Sequence, residues 1–411
     1  MVDSASLPAA RDLLIPLKIA DFRRLAIGYG ASLVGSMFYF IALTWLTLTI
    51  SGSGLVLGSV LAASAVPRAL FMVFGGAVAD RFSPKAVLIF SSAGNAVITA
   101  ALAAIVFAGA AQVWHLFAAA ILLGIVDPVA YPAANVLIPR IVDAQRLNTA
   151  NSVFTLMTYA TTVIGPALSG VVVGYLGTGA ALAAGVIAAG FSAAVFTRIG
   201  AGSPPESDAQ ARGCRDFLTD IRDGFAYSWN NRPIRAVIVL LAAINLTLIG
   251  PVVIGGSVLA ETHFGGARTF GLIISSWGLG GFIGAIAAGI SPVRRVGTAL
   301  IGASAVMGAG ILSIGFLPPI AVVLAVNFVM GLSNGWIEVI ITTWLQIQSG
   351  EGMRGRIMGI TAVAAIGLEP ASYALTGILV GAGLAAVFFS AGAALLVATL
   401  LTAGSRALRA A

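Results

Sequence analysis

Apolar residues run through this chain in blocks of about 20–28, separated by short clusters of Gly, Pro and charge. They neither alternate, as in a half-buried strand, nor keep to one helical face. A helix of roughly 20 apolar residues crosses the hydrocarbon core of a bilayer, and it pairs its own backbone groups while doing so. The pattern therefore predicts twelve spans. In the first half they are 25–50, 54–79, 86–109, 113–138, 149–175 and 177–197; in the second, 234–260, 269–290, 297–316, 319–345, 356–383 and 385–404. The fold class that follows is all-α integral membrane, twelve transmembrane helices as two six-helix bundles related by pseudo-symmetry.

One sizeable polar segment interrupts the blocks. Its first part, "AGSPPESDAQARG", reads as linker. In "RDFLTDIRDGFAYSWNNRP" the residues Leu218, Ile221, Phe225 and Trp229 recur at helical spacing, as in a helix lying on a membrane surface. The chain thus divides into an N-terminal bundle (1–198), a linker with an amphipathic helix (199–232) and a C-terminal bundle (233–411).

The basic residues set the orientation. With both termini in the cytoplasm, every Lys and Arg of the 22 except Arg68 and Arg268 falls in the tails, the cytoplasmic loops or the cytoplasmic ends of spans. The formal charge of +7 is thereby a topological and lipid-headgroup signal, and nucleic acid is not expected as a partner. Composition agrees: 59% of residues are hydrophobic and 9% charged, against about 25% charged in soluble domains, and mean hydropathy is +1.03. One cysteine, Cys214, and two histidines leave no basis for a disulfide or a metal site. The start, "MVDSASLPAARDLLIPLK", lacks the basic-then-apolar order of a cleaved signal. The halves also echo each other: "SGVVVG" (169–174) and "TGILVG" (376–381) lie 207 residues apart, as do Gly124 and Gly331.

Between spans 2 and 3 stands "GGAVADRFSPK", with Gly76, Asp80, Arg81 and Lys85. It resembles the cytoplasmic loop motif of the major facilitator superfamily, G-x-x-x-D-R-x-G-[RK]-[RK], with Ser83 and Pro84 in place of Gly and the first basic residue. Gly76 permits close helix packing, and Asp80 can face the positive N-terminus of a neighbouring helix. The resemblance implies that this neighbour is span 11, beginning near Gly355, and that the pair is a conformational latch. Pro132, Ala133, Leu137, Pro139, Leu147, Ala150 and Asn151 resemble a segment of the exporter branch that includes macrolide-efflux and enterobactin-export proteins. "RDFLTDIRDGFAYSWNNRPIR" and "QIQSGEGMRGRIMG" are similar to that branch's segments before spans 7 and 11. Gly165, Pro166 and Gly170 resemble its span-5 motif, which the resemblance implies seals the substrate cavity in one state; a plain kinked packing helix fits the same residues. Many relatives carry an acid near the position of Ser36, and this span holds none.

Away from the span ends, the ionisable residues within spans are Arg68, Asp127, Glu338 and Glu369. A charge at the bilayer centre costs about 2.5–3.5 kcal/mol even on insertion scales, so each needs a partner, a proton or water. Arg68 and Asp127 share a half and a depth and are expected to pair, either permanently or until substrate or a proton opens them. Glu369 has no base at its depth in its own half. It either takes up and releases a proton as water reaches it, as a proton-coupling residue requires, or remains a neutral hydrogen-bonded acid. Glu338 sits nearer the cytoplasmic end and within reach of loop arginines.

Together these features imply a secondary transporter that exports an amphiphilic small molecule (a drug, siderophore or similar) against protons by alternating access. It would be a monomer in the cytoplasmic membrane, without cofactor, metal or enzymatic activity. Tyr39, Tyr131, Asn245, Asn327, Asn334 and Trp336 are the expected cavity lining. The other readings are an importer or symporter of a polar metabolite, and a non-transporting membrane sensor. The orientation is open to a direct check: single cysteines replacing Ser83 and Ser203 should label from the cytoplasm and one replacing Ala267 from outside, and the reverse pattern would refute it.

Overall fold

Helices follow the apolar blocks because hydrocarbon offers a backbone no partner outside its own element. The computed structural model describes residues 12–81, 83–200, 227–290, 295–348, 357, 361, 364 and 366–404. After a 3₁₀ turn at Asp12–Lys18 come α1 (Ala20–Ser51), α2 (Gly54–Arg81), α3 (Pro84–Phe107), α4 (Val113–Val126), α5 (Ala130–Ile141) and α6 (Leu147–Thr197). The second half holds α7 (Arg232–Gly250), α8 (Gly256–His263), α9 (Ala267–Ile290), α10 (Val296–Ile314), α11 (Ile320–Gln348), α12 (Glu369–Val380) and α13 (Leu384–Ala403). Among the described residues, ten helical segments are long and apolar enough to cross a membrane.

Two features separate that number from the twelve blocks. Spans 5 and 6 appear as one element, α6, although Gly177 breaks it at φ 83, ψ 170, a backbone conformation that glycine alone adopts freely. Span 11 is described as continuous helix only over α12. The expected surface helix of 199–232 lies largely outside the described residues; Tyr227–Asn230 are helical, and the Arg235 guanidinium sits over the Trp229 ring at 5.8 Å.

The predicted span 4 is not one helix. It stops at Val126 and restarts at Ala130, because Pro128 has no N–H to donate and its ring crowds the preceding turn. Asp127 lies in that break. Glu369 and Pro370 likewise form the first turn of α12, so both carboxylates stand before a proline at an interrupted helix.

Span 7 is interrupted as well. Between α7 and α8, Pro251–Gly255 form a π turn. Ser372 of α12 inserts there: its hydroxyl donates to Leu246 O (2.7 Å) and accepts from Gly250 N–H (2.8 Å). Those two backbone groups would otherwise bond each other, so the inserted side chain accounts for the irregularity. It also ties the element that carries Glu369 to α7.

Within the first half, α6 packs on α1 and α3, and α2 on α4; within the second, α9 packs on α11, α10 on α13 and α7 on α12. Two extensive pairings join the halves, α2 with α12 and α6 with α9. Small residues make such contacts close in a membrane, where no hydrophobic force draws helices together. Along α9 and α11, a Cβ at Gly280, Gly284, Gly331 or Gly335 would land on the carbonyl oxygen of Phe328, Leu332, Trp277 or Gly281. Gly284→Val should therefore cost about 1–3 kcal/mol or more by overpacking, read as a lower thermal midpoint in detergent. Gly289→Ala, which meets nothing within 4 Å, should leave the midpoint unchanged or raise it; equal losses in both variants would refute the packing assignment.

Candidate functional site

α2 and α12 meet glycine to backbone. A Cβ at Gly58 would strike Tyr373 O and Gly377, and one at Gly54 would strike Val380. Farther along α2, a long side chain crosses to α12. The Arg68 guanidinium forms an ion pair with the Glu369 carboxylate through Nη2 and Oε2. Tyr373, one turn beyond Glu369 and buried, places its phenol against the same guanidinium. The Glu369 side chain is 14% exposed and that of Arg68 41%, so the arginine also reaches the accessible side of the contact. Its Nε–H has no partner among the described residues.

This corrects the expected pairing of Arg68 with Asp127. α2 does pack on α4, since a Cβ at Gly124 would strike Ser64 O and Pro67, and Arg68 lies within electrostatic reach of Asp127. Asp127, however, faces α1 and α3. Its carboxylate accepts from Asn95 Nδ2 (2.8 Å) and Ser36 Oγ (3.3 Å), and Thr99 Oγ1 donates to Asn95 Oδ1 (3.2 Å). Glu369, in turn, has a cation, which comes from the other half. The acid missing from span 1 has a counterpart here, because Asp127 brings a carboxylate to the hydroxyl of Ser36.

Ser36, Asn95 and Tyr373 escaped the sequence reading as partners. The signals were present, as Asn95 and Thr99 share one helix face and an acid stands before proline twice, but nothing local says which helices meet.

The span-5 motif residues touch both halves. Gly165 packs on Met37 of α1, while Gly170 meets Ala267 O and Gly271 of α9, and Pro166 O lies against Gly271. Farther along, Gly278 meets Thr162 O, and the Tyr159 and Phe282 rings stand 5.8 Å apart. Near the far end Arg268 donates to the Tyr175 hydroxyl (2.6 Å) and lies over its ring. In the loop motif, Lys85 Nζ donates to Ile199 O beyond the C-terminus of α6, where a cation is favoured. The side chains of Gly76, Asp80 and Arg81, and the expected latch partner near Gly355, lie outside the described residues.

The expected lining residues scatter. Tyr131 is 49% exposed, whereas Tyr39 is buried with an unpartnered hydroxyl. Asn245 is half-buried and donates to Leu241 O; Asn334 and Trp336 are half-buried on α11. Asn327 corrects its assignment. It is 2% exposed and faces a small internal cavity with Leu259, Ile273, Ile314 and Phe388, inside the second half and away from the first. Glu338, by contrast, is exposed and near Tyr159, and it forms no ion pair among the described residues.

Residues 25–368 match the Major Facilitator Superfamily. Similar proteins include the multidrug efflux pump Tap of Mycolicibacterium fortuitum, 25% identical over 392 residues that cover 91% of this chain and 92% of that protein. Tap of Mycobacterium tuberculosis H37Rv is 26% identical over 379 residues, 89% of this chain and 87% of that one. The fold is similar to that of the nucleoside transporter NupG (TM-score 0.75, 12% identity, 93% and 98% of the two chains). It is also similar to that of a POT family transporter bound to 5-aminolevulinic acid (TM-score 0.72, 11% identity, 92% and 95%). The chain belongs to the Major Facilitator Superfamily, whose members matched here are membrane transporters and not enzymes.

The ion pair between α2 and α12 makes a specific stability prediction. Removing one member leaves a lone charge in a poorly hydrated site. Arg68→Ala or Glu369→Ala alone should each cost about 1–3 kcal/mol, less than a fully buried pair because Arg68 is partly exposed. The double replacement should cost less than the sum. Thermal midpoints of the purified variants measure this, and additive losses would contradict the coupling.

Proposed function

We propose that this member of the superfamily is a proton-driven multidrug-type exporter of amphiphilic small molecules in the cytoplasmic membrane. In this reading residues 1–198 and 233–411 form two bundles joined by the 199–232 linker, with both termini in the cytoplasm, and the monomer works by alternating access. The observation that carries the reading is the Arg68–Glu369 ion pair spanning the contact of the two halves. Similarity to the Tap efflux pumps over most of the chain supports export as the direction.

The geometry supplies a cycle. The α2–α12 contacts at Gly54 and Gly58 and the α6–α9 contacts at Gly170 and Gly271 lie toward the ends opposite the termini, which this topology makes the outer side. Ionised Glu369 held by Arg68 keeps that side shut while substrate enters from the cytoplasm. Substrate-driven parting of α2 from α12 breaks the pair and exposes Glu369 to outer water, where a proton replaces the guanidinium. Return to the inward form and loss of that proton to the cytoplasm restore the pair. One proton thus moves inward for each turn that carries substrate outward. Gly76, Asp80, Arg81 and Lys85 serve as the cytoplasmic latch of the alternate form, and Gly165, Pro166 and Gly170 as the outer seal. Asp127 holds α1, α3 and α4 together through Ser36 and Asn95.

Glu369→Gln mimics the protonated acid. In proteoliposomes it should retain substrate counterflow yet lose uphill export driven by an imposed pH gradient. Uphill export at the wild-type rate in that variant would remove Glu369 from coupling. Asp127→Asn should instead lower folded yield along with transport.

A further inference from the structure

Two consecutive rungs are missing from the hydrogen-bond ladder of span 7, and a side chain from another helix fills one of them. In a regular helix the Gly250 N–H donates to Leu246 O, four residues back. Here the fully buried Ser372 stands between the two groups. Its hydroxyl donates to Leu246 O at 2.7 Å and accepts from Gly250 N–H at 2.8 Å. The next rung is absent because Pro251 has no N–H to return to Thr247 O. The chain then passes through the π turn Pro251–Gly255 into α8. A Cβ at Gly250 would land on Ser372 O and Thr376 Oγ1, so only glycine lets α12 come this close.

We propose that Ser372 is a removable wedge and that span 7 is a hinge with two hydrogen-bonded settings. The wedged setting is the one described. With the wedge withdrawn, Gly250 N–H donates to Leu246 O directly. The Ser372 hydroxyl then donates to Leu368 O, one turn back on its own helix, as serines within helices do. Each setting makes two hydrogen bonds from the same two donors, and neither leaves either donor buried without a partner. That equality makes the element two-state. Packing also gives the turn somewhere to move. A small internal cavity lies against Pro251, Val252 and Gly256, whereas a close-packed interior resists displacement.

The placement of the wedge says what withdraws it. Glu369 and Tyr373, four residues apart on α12, meet Arg68 of the first half. Ser372 and Thr376, likewise four apart, meet α7. At about 100° per residue the two pairs stand roughly 60° apart around α12, so a displacement of α12 that follows Arg68 carries Ser372 with it. α7 and α12 belong to the same half, and two halves rocking as rigid bodies would leave the wedge seated. The hinge thus adds a motion inside one half. This last step rests on the alternating-access reading; the wedge and its two settings do not.

Pulsed EPR distances in the purified full-length protein test the hinge, with a Cys214→Ser background. One spin label replaces Thr262, exposed near the end of α8, and the other Phe316, exposed just past α10. Thr262 stands about 18 Å of helix beyond Gly250, so a change in bend of about 20° moves it by roughly 6 Å. Ser372→Ala removes the wedge and should shift the main distance by about that amount. Thr376→Val, on the same face of α12 but outside the wedge, should keep the wild-type distance. No shift in Ser372→Ala, or an equal shift in Thr376→Val, overturns the wedge. Should Ser372→Ala not fold, Pro251→Ala returns an N–H to Thr247 O and should populate the shifted distance; an unchanged distance there overturns the hinge equally. Export assays in proteoliposomes separate the two readings. Unshifted distances with wild-type export intact refute the wedge while efflux stands. Shifted distances in a protein whose wild type exports nothing under a pH gradient refute efflux while the wedge stands.

Discussion

A guanidinium and a carboxylate in a bilayer each cost about 2.5–3.5 kcal/mol when left alone, and here the two belong to different halves of the chain. Neither Arg68 nor Glu369 finds its ion-pair partner within its own half; each finds it in the other. The contact of α2 with α12 is therefore more than packing, since parting it exposes two charges that then need water, a proton or a substrate. Much of the surrounding structure keeps this crossing in place. Gly54, Gly58 and Gly377 let the backbones approach. Ser372 threads into the interrupted ladder of α7, so α12 is anchored to its own half three residues from Glu369.

The glycine contacts and the ion pair are complementary in kind. Helices in lipid gain little from burying apolar surface against one another, because the tails are equally apolar. What remains is close van der Waals contact and polar pairing. Along α9 and α11, both in the second half, four glycines lie directly on facing carbonyls, which makes a tight and uninterrupted joint. Between the halves the glycine contacts are joined by groups that respond to water, namely Arg68 with Glu369 and Arg268 with Tyr175. A contact that must open benefits from polar groups that gain hydration as it parts, and one that must stay shut does not.

The span pattern was legible because the bilayer demands length and apolarity from each helix separately, a local property. The proline breaks were legible in principle too, since Asp127-Pro128 and Glu369-Pro370 are adjacent pairs. Partners were not legible. Depth along the chain placed Arg68 level with Asp127, and the two are indeed neighbours through Gly124 and Ser64. What depth does not encode is azimuth: the Asp127 carboxylate faces Asn95 and Ser36. Glu369 has its cation on the opposite half, which nothing local in the sequence signals. Asn327 failed for the related reason that a polar residue on an apolar helix can point inward to its own half as easily as into a shared cleft.

Three carboxylates in the membrane thus occupy three environments, and the differences sort their chemistry. Asp127 is held by an amide and a hydroxyl on neighbouring helices of one half, donors that need no conformational change to stay in place. Glu369 is held by a cation on the opposite half, so any parting of α2 from α12 would separate the pair. Glu338 has no ion-pair partner among the described residues and is exposed. An acid held by fixed neutral donors suits a structural node, whereas one whose cation sits on a separable element is open to a change of partner. The same functional group, held by fixed neutral donors within one half or by a cation across the two halves, can thus serve architecture in one place and a separable contact in the other.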